Sequence, residues 1–246
     1  MRSGTLYSSA PYTSPPGPTT KRKVPAGPGS GPGPARRLPE GALGYLAATL
    51  ACLLAFGLTC RVFVWTPRGQ RLDGLLLPPG QWGGYEQQSV LTGPAKDLLA
   101  LFGDTTVLAV LLAALLLVGA LGRRLYAGVA AVLLVLCSVG LAGAAKSVIS
   151  RPEFDLPGST AHNSFPSGHV TAAMALLLAF VLVLPDRARW WLAVPGAVAV
   201  SAVASATMIA GWHRFSDVIG AVLLAEALFF LASAALRVKE GPLVNA

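Results

Sequence analysis

The chain has 246 residues, of which 54% are hydrophobic and only 12% charged, whereas soluble domains carry about a quarter charged residues. That balance excludes a water-soluble globular protein and points to an integral membrane protein. A formal net charge of +8 would suit a nucleic-acid binder, but its distribution along the chain argues against nucleic acid as a partner.

Residues 1–40 hold nine Pro and six Gly, densest in "GPGSGPGP". They contain too few large apolar residues to offset the entropy of ordering, and read as a disordered cytoplasmic tail. A polyproline ligand or regulatory segment is the other reading of this composition. The first 30 residues lack the basic, apolar and cleavage-site pattern of a secretory signal, which makes the first apolar run a retained signal anchor.

Six apolar runs then follow, 42–64, 98–121, 125–145, 169–185, 191–212 and 217–236; crossing a hydrocarbon core takes about 20 residues of helix. The expected fold class is all-α, an integral membrane six-helix bundle over 41–237, followed by a short cytoplasmic tail, 238–246. No internal repeat and no second globular domain is visible. Cys52, Cys60 and Cys137 fall inside the runs and read as small apolar residues, with neither disulfide nor metal-ligand spacing.

Between the first two runs lies the longest connection, 66–97. Its "LLLPPGQWGGYEQQ" mixes apolar residues with Trp82 and Tyr85, which suits a segment at headgroup level. It reads equally as a substrate-entry lip or a passive interfacial loop. The bases sort by side: Arg2, Lys21, Arg22, Lys23, Arg36 and Arg37 precede the first run. Arg123 and Arg124 join the second and third, Arg187 and Arg189 the fourth and fifth, and Arg237 and Lys239 follow the sixth. With the N-terminus inside, all of these are cytoplasmic, as the positive-inside rule expects. The positive balance is thus a topology signal, with some attraction to anionic lipid.

The same topology puts Lys146, His169, His213, Arg214 and Asp217 on the opposite, outer face. In "NSFPSGHVTA", 163–172, Pro166 fits the approach to a helix start, and Ser167 and Gly168 leave N–H groups at its positive end. Such an end holds an anion such as phosphate; the plain alternative is Ser167 as an N-cap beside a solvated His169. In "GWHRFSDV", 211–218, His213 and Asp217 are four apart and share a face on a continuous helical turn. Asp217 then fixes one imidazole nitrogen and frees the other as a nucleophile, unless Ser216 or Asp217 simply caps the sixth run. In "KSVISRPEF", 146–154, Lys146 and Arg151 are cationic donors for phosphate, or else bases snorkelling at a helix end.

Together "KSVISRP", "PSGH" and "HRFSD" resemble the type 2 phosphatidic acid phosphatase superfamily of membrane lipid phosphate phosphatases. The resemblance implies His213 as the nucleophile forming a phosphohistidine, Asp217 as its orienting partner and His169 as the general acid. It implies Ser167, Gly168 and Lys146 as phosphate ligands. The family's first motif has Arg seven residues after its Lys, where this chain has Glu153. Its third has Ser-Arg where this chain has Ala206 and Thr207. Arg151 and Arg214 are the expected substitutes in the phosphate cradle.

The function so implied is hydrolysis of a lipid phosphate monoester or diphosphate at the outer face of the cell membrane, with no metal or other cofactor. The resemblance admits undecaprenyl diphosphate, phosphatidic acid and phosphatidylglycerol phosphate as substrates; an outward site favours the polyprenyl diphosphate. It implies the lipid bilayer as partner and no particular oligomeric state. A catalytically weakened head-group binder is the alternative that Glu153 and Thr207 suggest. Transport is the weaker alternative, suggested by Asp104 and Glu226 inside apolar runs.

Overall fold

The computed structural model describes residues 41–75, 90–156 and 163–240. The N-terminal tail, the Trp82–Tyr85 stretch and residues 241–246 lie outside the described residues. Among those described there are helices and turns and no strand, so the fold is all-α.

Helix α1, Ala42–Thr59, continues into a π-helical turn, Cys60–Val64, and is followed by the short α2, Pro67–Leu75. Then come α3, Thr92–Gly103; α4, Thr105–Leu121; α5, Leu125–Val148; α6, Gly168–Val183; α7, Asp186–Ile209; and α8, Phe215–Glu240. Four lengths, Ala42–Val64, α5, α7 and Phe215–Lys239 of α8, are each long and apolar enough to cross a membrane. The protein is thus a multi-pass membrane protein.

The other two expected spans differ from simple rods. The second is broken at Asp104 into α3 and α4, bent by 54°. Asp104 takes an extended conformation, φ −70° and ψ 124°, and its carboxylate accepts from the N–H groups of Thr106 and Val107, at 2.7 and 3.1 Å. It caps α4, satisfying donors that the break leaves without helical partners. The fourth, α6, has 16 residues, about 24 Å at 1.5 Å per residue, against a hydrocarbon core of about 30 Å. Prolines bound it: Pro166 lies just before it, and Pro185 pushes Leu184 to an extended ψ of 147°.

Further boundaries differ from the sequence expectation, α3 starting at Thr92 and α7 running from Asp186 to Ile209. Residues 67–75 of the expected loop are helix α2, and α8 runs on to Glu240. Thr66 Oγ1 accepts the Gly69 N–H at 3.0 Å and Pro67 opens the first turn, so α2 has an ordinary helix start. Gly69 is required there, because a Cβ would lie 1.9 Å from the Val62 carbonyl oxygen.

α6 is the central helix. Val170, Thr171, Ala173, Ala175, Leu176, Ala179, Leu182 and Val183 are buried, and it packs on α5, α7 and α8. Its first half shares a core with Leu99, Val203, Val218 and Ala221. Its second half packs with Leu115, Leu134, Val135 and Ala225. α1 lies along α8, where Cys52 Sγ donates to Glu226 Oε2 at 3.9 Å. The acid inside the sixth run therefore has a partner on a neighbouring helix. This packing brings the end of α5, the start of α6, the α7–α8 turn and α2 together at one end of the bundle.

Candidate active site

The approach to α6 is fixed by one buried ring. Phe165 is fully enclosed, packs tilted against Phe56 with centroids 5.1 Å apart, and lies so close to α8 that a Cβ on Gly220 would be 2.3 Å from it. Asn163 closes the turn, its amide donating to the Phe165 carbonyl at 3.0 Å and its oxygen accepting the Phe165 N–H at 3.1 Å. The Ser167 N–H then donates to the Asp217 carbonyl at 3.0 Å, which ties the start of α6 to the start of α8. Ser167 occupies the N-cap position, yet its hydroxyl makes no capping bond.

Just beyond the end of α7 at Ile209, Gly211 has a left-handed φ of 71°, a conformation glycine adopts without strain. Trp212 and His213 donate their N–H groups to the Thr207 carbonyl at 3.0 and 3.3 Å. His213 therefore lies in the turn before α8 rather than on a continuous helix, which corrects the sequence expectation. The pairing with Asp217 forms nonetheless: His213 Nδ1 is 3.3 Å from Asp217 Oδ2. That same oxygen accepts the Arg214 N–H at 3.0 Å, as a helix cap does, and the Ser164 hydroxyl at 2.6 Å. Capping and histidine orientation are thus one arrangement. With the proton on Nδ1, the imidazole presents a bare Nε2.

Arg151 follows α5 on an extended segment held at both flanks. Trp65 Nε1 donates to the Ser150 carbonyl at 2.8 Å, and Gln70 Nε2 donates to the Pro152 carbonyl at 2.9 Å. The guanidinium is thereby turned inward and fully buried, while Glu153 is exposed. Arg151 Nη2 stands 3.6 Å from Asp217 Oδ1. Burial, together with the neighbouring charge of Arg214, pushes the Arg151 guanidinium below its ordinary range, while Asp217 opposes the shift.

α2 also holds the other side of the site. Asp73, fully buried, accepts the Ser216 N–H at 2.9 Å and the Ser216 hydroxyl. Burial raises the Asp73 carboxyl above its ordinary range, and the bonds from Ser216 work against that shift.

These contacts leave a particular set of groups unsatisfied. Arg151 Nε, Nη1 and Nη2, the Ser167 hydroxyl and Asp217 Oδ1 are buried without a hydrogen-bond partner. Buried polar groups are normally paired, so the orphaned guanidinium and hydroxyl donors mark a place for a ligand. Lys146 adds to it: a Cβ on Gly168 would be 3.7 Å from Lys146 Nζ, so the ammonium approaches the N-terminus of α6. A cation at the positive end of a helix is unfavourable unless an anion lies near both. His169 sits with its ring 5.8 Å from that of Trp212. Its Nε2 lies 3.3 Å from where a Cβ of Gly103 would be, and it is within electrostatic reach of His213 and Lys146.

All eight residues singled out in the sequence, Lys146, Arg151, Ser167, Gly168, His169, His213, Arg214 and Asp217, lie at this end of the bundle. Thr207, at a family arginine position, is fully buried with its hydroxyl on the Ala204 carbonyl at 2.7 Å. Ser164, Trp65, Gln70 and Asp73 carry structural work in the site that no motif announced. Among the described residues no group of three or more His, Cys, Asp or Glu side chains is placed to hold a metal ion.

Fold and site together define a multi-pass membrane protein with a histidine–carboxylate pair set in a cationic, anion-receptive pocket. Residues 131–239, which contain all three motifs, match the model of the PAP2 superfamily. The chain's fold is similar to that of the transmembrane PAP2-type phosphatidylglycerolphosphate phosphatase from Bacillus subtilis. The two are 21% identical with a TM-score of 0.59, over 80% of this chain and 98% of that chain. No curated protein sequence matches the chain.

Proposed function

We propose that the protein is a lipid phosphatase whose site takes the terminal phosphate of a lipid monophosphate or diphosphate at the outer membrane face. The observation that carries this reading is the buried guanidinium of Arg151 and hydroxyl of Ser167, both without a hydrogen-bond partner, beside the His213–Asp217 pair. A tetrahedral, multiply charged oxyanion satisfies those donors; a neutral group does not.

In the proposed reaction His213 Nε2 attacks phosphorus, forming an N–P bond as the bond from phosphorus to the lipid oxygen breaks. His169 protonates the departing oxygen. Water then attacks phosphorus, giving its proton to His169, and the N–P bond breaks to release inorganic phosphate. Arg151, Ser167, Lys146 and the N–H groups at the start of α6 stabilise the charge on the equatorial oxygens. Arg214 assists beside Arg151, whose guanidinium feels its charge. No step calls for a metal ion. Polyprenyl diphosphate is the substrate an outward site serves; phosphatidylglycerol phosphate, the substrate of the Bacillus subtilis protein, and phosphatidic acid present the same terminal phosphate.

The test is phosphate release by purified protein from these three lipids with EDTA present, against His213→Ala. Release that depends on His213 and survives the chelator is expected. Release that persists in the variant, or stops with EDTA, overturns the mechanism. Head-group binding without release from any lipid would instead favour the scaffold reading that Glu153 and Thr207 suggest.

A further inference from the structure

A cavity of about 540 Å³ opens at the end of the bundle away from His213, lined by Arg123, Arg124, Arg189, Arg237, Lys239 and a single acid, Asp186. We propose that it binds the phosphate of an anionic phospholipid head group, as a site distinct from the catalytic one. α8 runs from one to the other, with Asp217 in its first turn and Arg237 in its last.

The bases are held there by the fold. α4 and α5 approach so closely that a Cβ on Gly119 would be 2.9 Å from Gly128 Cα. The tight turn above them carries Arg123 with a left-handed φ of 54° and puts Arg124 directly after it. Arg124 Nη1 reaches the carbonyls of Val183 and Leu184 at 3.4 and 3.5 Å, and Arg189 Nε bonds that of Leu184 at 3.0 Å. The negative end of α6 thus gathers two arginines at the cavity wall. Lys239 rests on the Tyr126 ring.

Counter-charge is scarce. Among the described residues the one ion pair here joins Arg189 Nη1 to Asp186 at 2.7 Å, so the other four bases have no carboxylate partner. The positive-inside rule accounts for bases at this end of a membrane protein, but not for five of them around one cavity between helices. Basic pockets between membrane helices suit phospholipid head groups. Leu182, Phe229 and Leu236 supply an apolar wall, which fits a head group that continues into an acyl chain better than a free anion.

The experiment uses full-length protein in nanodiscs of mixed phosphatidylcholine and phosphatidylglycerol, with retained lipid read by native mass spectrometry. Hydrogen exchange is followed over 119–126. Wild type is expected to retain phosphatidylglycerol selectively. Arg123→Gln with Arg237→Gln should lower that retention by about thirtyfold, at roughly 1 kcal/mol per base, with thermal unfolding showing the variant folded. Each single variant is measured in parallel, so that loss of fold in the double leaves a readable result. Equal retention by wild type and variants, equal retention of phosphatidylcholine, or exchange protection by inorganic phosphate alone in phosphatidylcholine discs overturns the proposal.

Discussion

At Arg151, function and stability are expected to pull in opposite directions. Its guanidinium is fully buried and its three nitrogens lack a hydrogen-bond partner; each such orphan costs about 1–3 kcal/mol. The contact at 3.6 Å to Asp217 Oδ1 offsets part of that, since a buried pair recovers its desolvation cost only when well hydrogen-bonded. Arg151→Met keeps much of the side-chain volume and removes the charge. Asp217 Oδ2 retains its donors from Ser164, His213 and the Arg214 N–H, so the carboxylate is not stranded. Thermal unfolding in detergent should therefore give an unchanged or higher Tm. Activity should move the other way, because one lost donor to a developing oxyanion costs about 2.7–4 kcal/mol, roughly 10²–10³ in kcat. Orthovanadate should stabilise wild type by about 2.7 kcal/mol at a hundred times its Kd and Arg151→Met much less. Wild-type turnover in the variant, or a Tm that falls in step with activity, refutes the reasoning.

His169→Gln should nearly abolish hydrolysis of an alkyl phosphate yet spare formation of the phosphoenzyme from p-nitrophenyl phosphate, whose leaving oxygen needs no proton; equal losses on both substrates would remove His169 from the acid role. Because burial raises the Asp73 carboxyl, its contribution to stability is full below an unfolded value of about 3.9 and is lost as pH rises through the raised folded value. Asp73→Asn should flatten the corresponding fall in Tm over that window, whereas Asp73→Ala strands both Ser216 groups and should lower Tm and kcat at every pH; a wild-type pH slope in the Asn variant counts against the assignment. Restoring the family spacing with Arg151→Ala/Glu153→Arg should leave activity at the level of Arg151→Ala, since position 153 is exposed beyond the Gln70 clasp. Recovery of phosphate release would show that the segment slides.

The motifs were readable because their contacts are local. His213 and Asp217 are four residues apart and pair even though the backbone between them turns before it becomes helical. Pro166 and Gly168 bound a helix start in any context. The break at Asp104 had a local signature too, Gly103-Asp104-Thr105, but it lies inside a run whose average hydropathy hides a single capped turn. The sequence of α2 reads as loop because prolines and glycines follow it, although Thr66-Pro67 is a helix opening.

What no motif carries is the long-range support. Gln70 reaches Pro152 across 82 positions, Trp65 reaches Ser150 across 85, and Asp73 reaches Ser216 across 143. These contacts explain why an arginine two residues early in sequence still points into the site. α5 ends at Val148 and Ile149 is already extended, with a ψ of 110°, so helical periodicity does not set the direction of Arg151. The two clasped carbonyls on either side of it do. Spacing from Lys146 is then a weak constraint on this arm, whereas the spacing of His213 and Asp217, fixed by one cap, is a strong one. On that reasoning a departure at Glu153 is absorbed by the extended segment after α5, clasped by Trp65 and Gln70, while a one-residue insertion between His213 and Asp217 has nothing to absorb it.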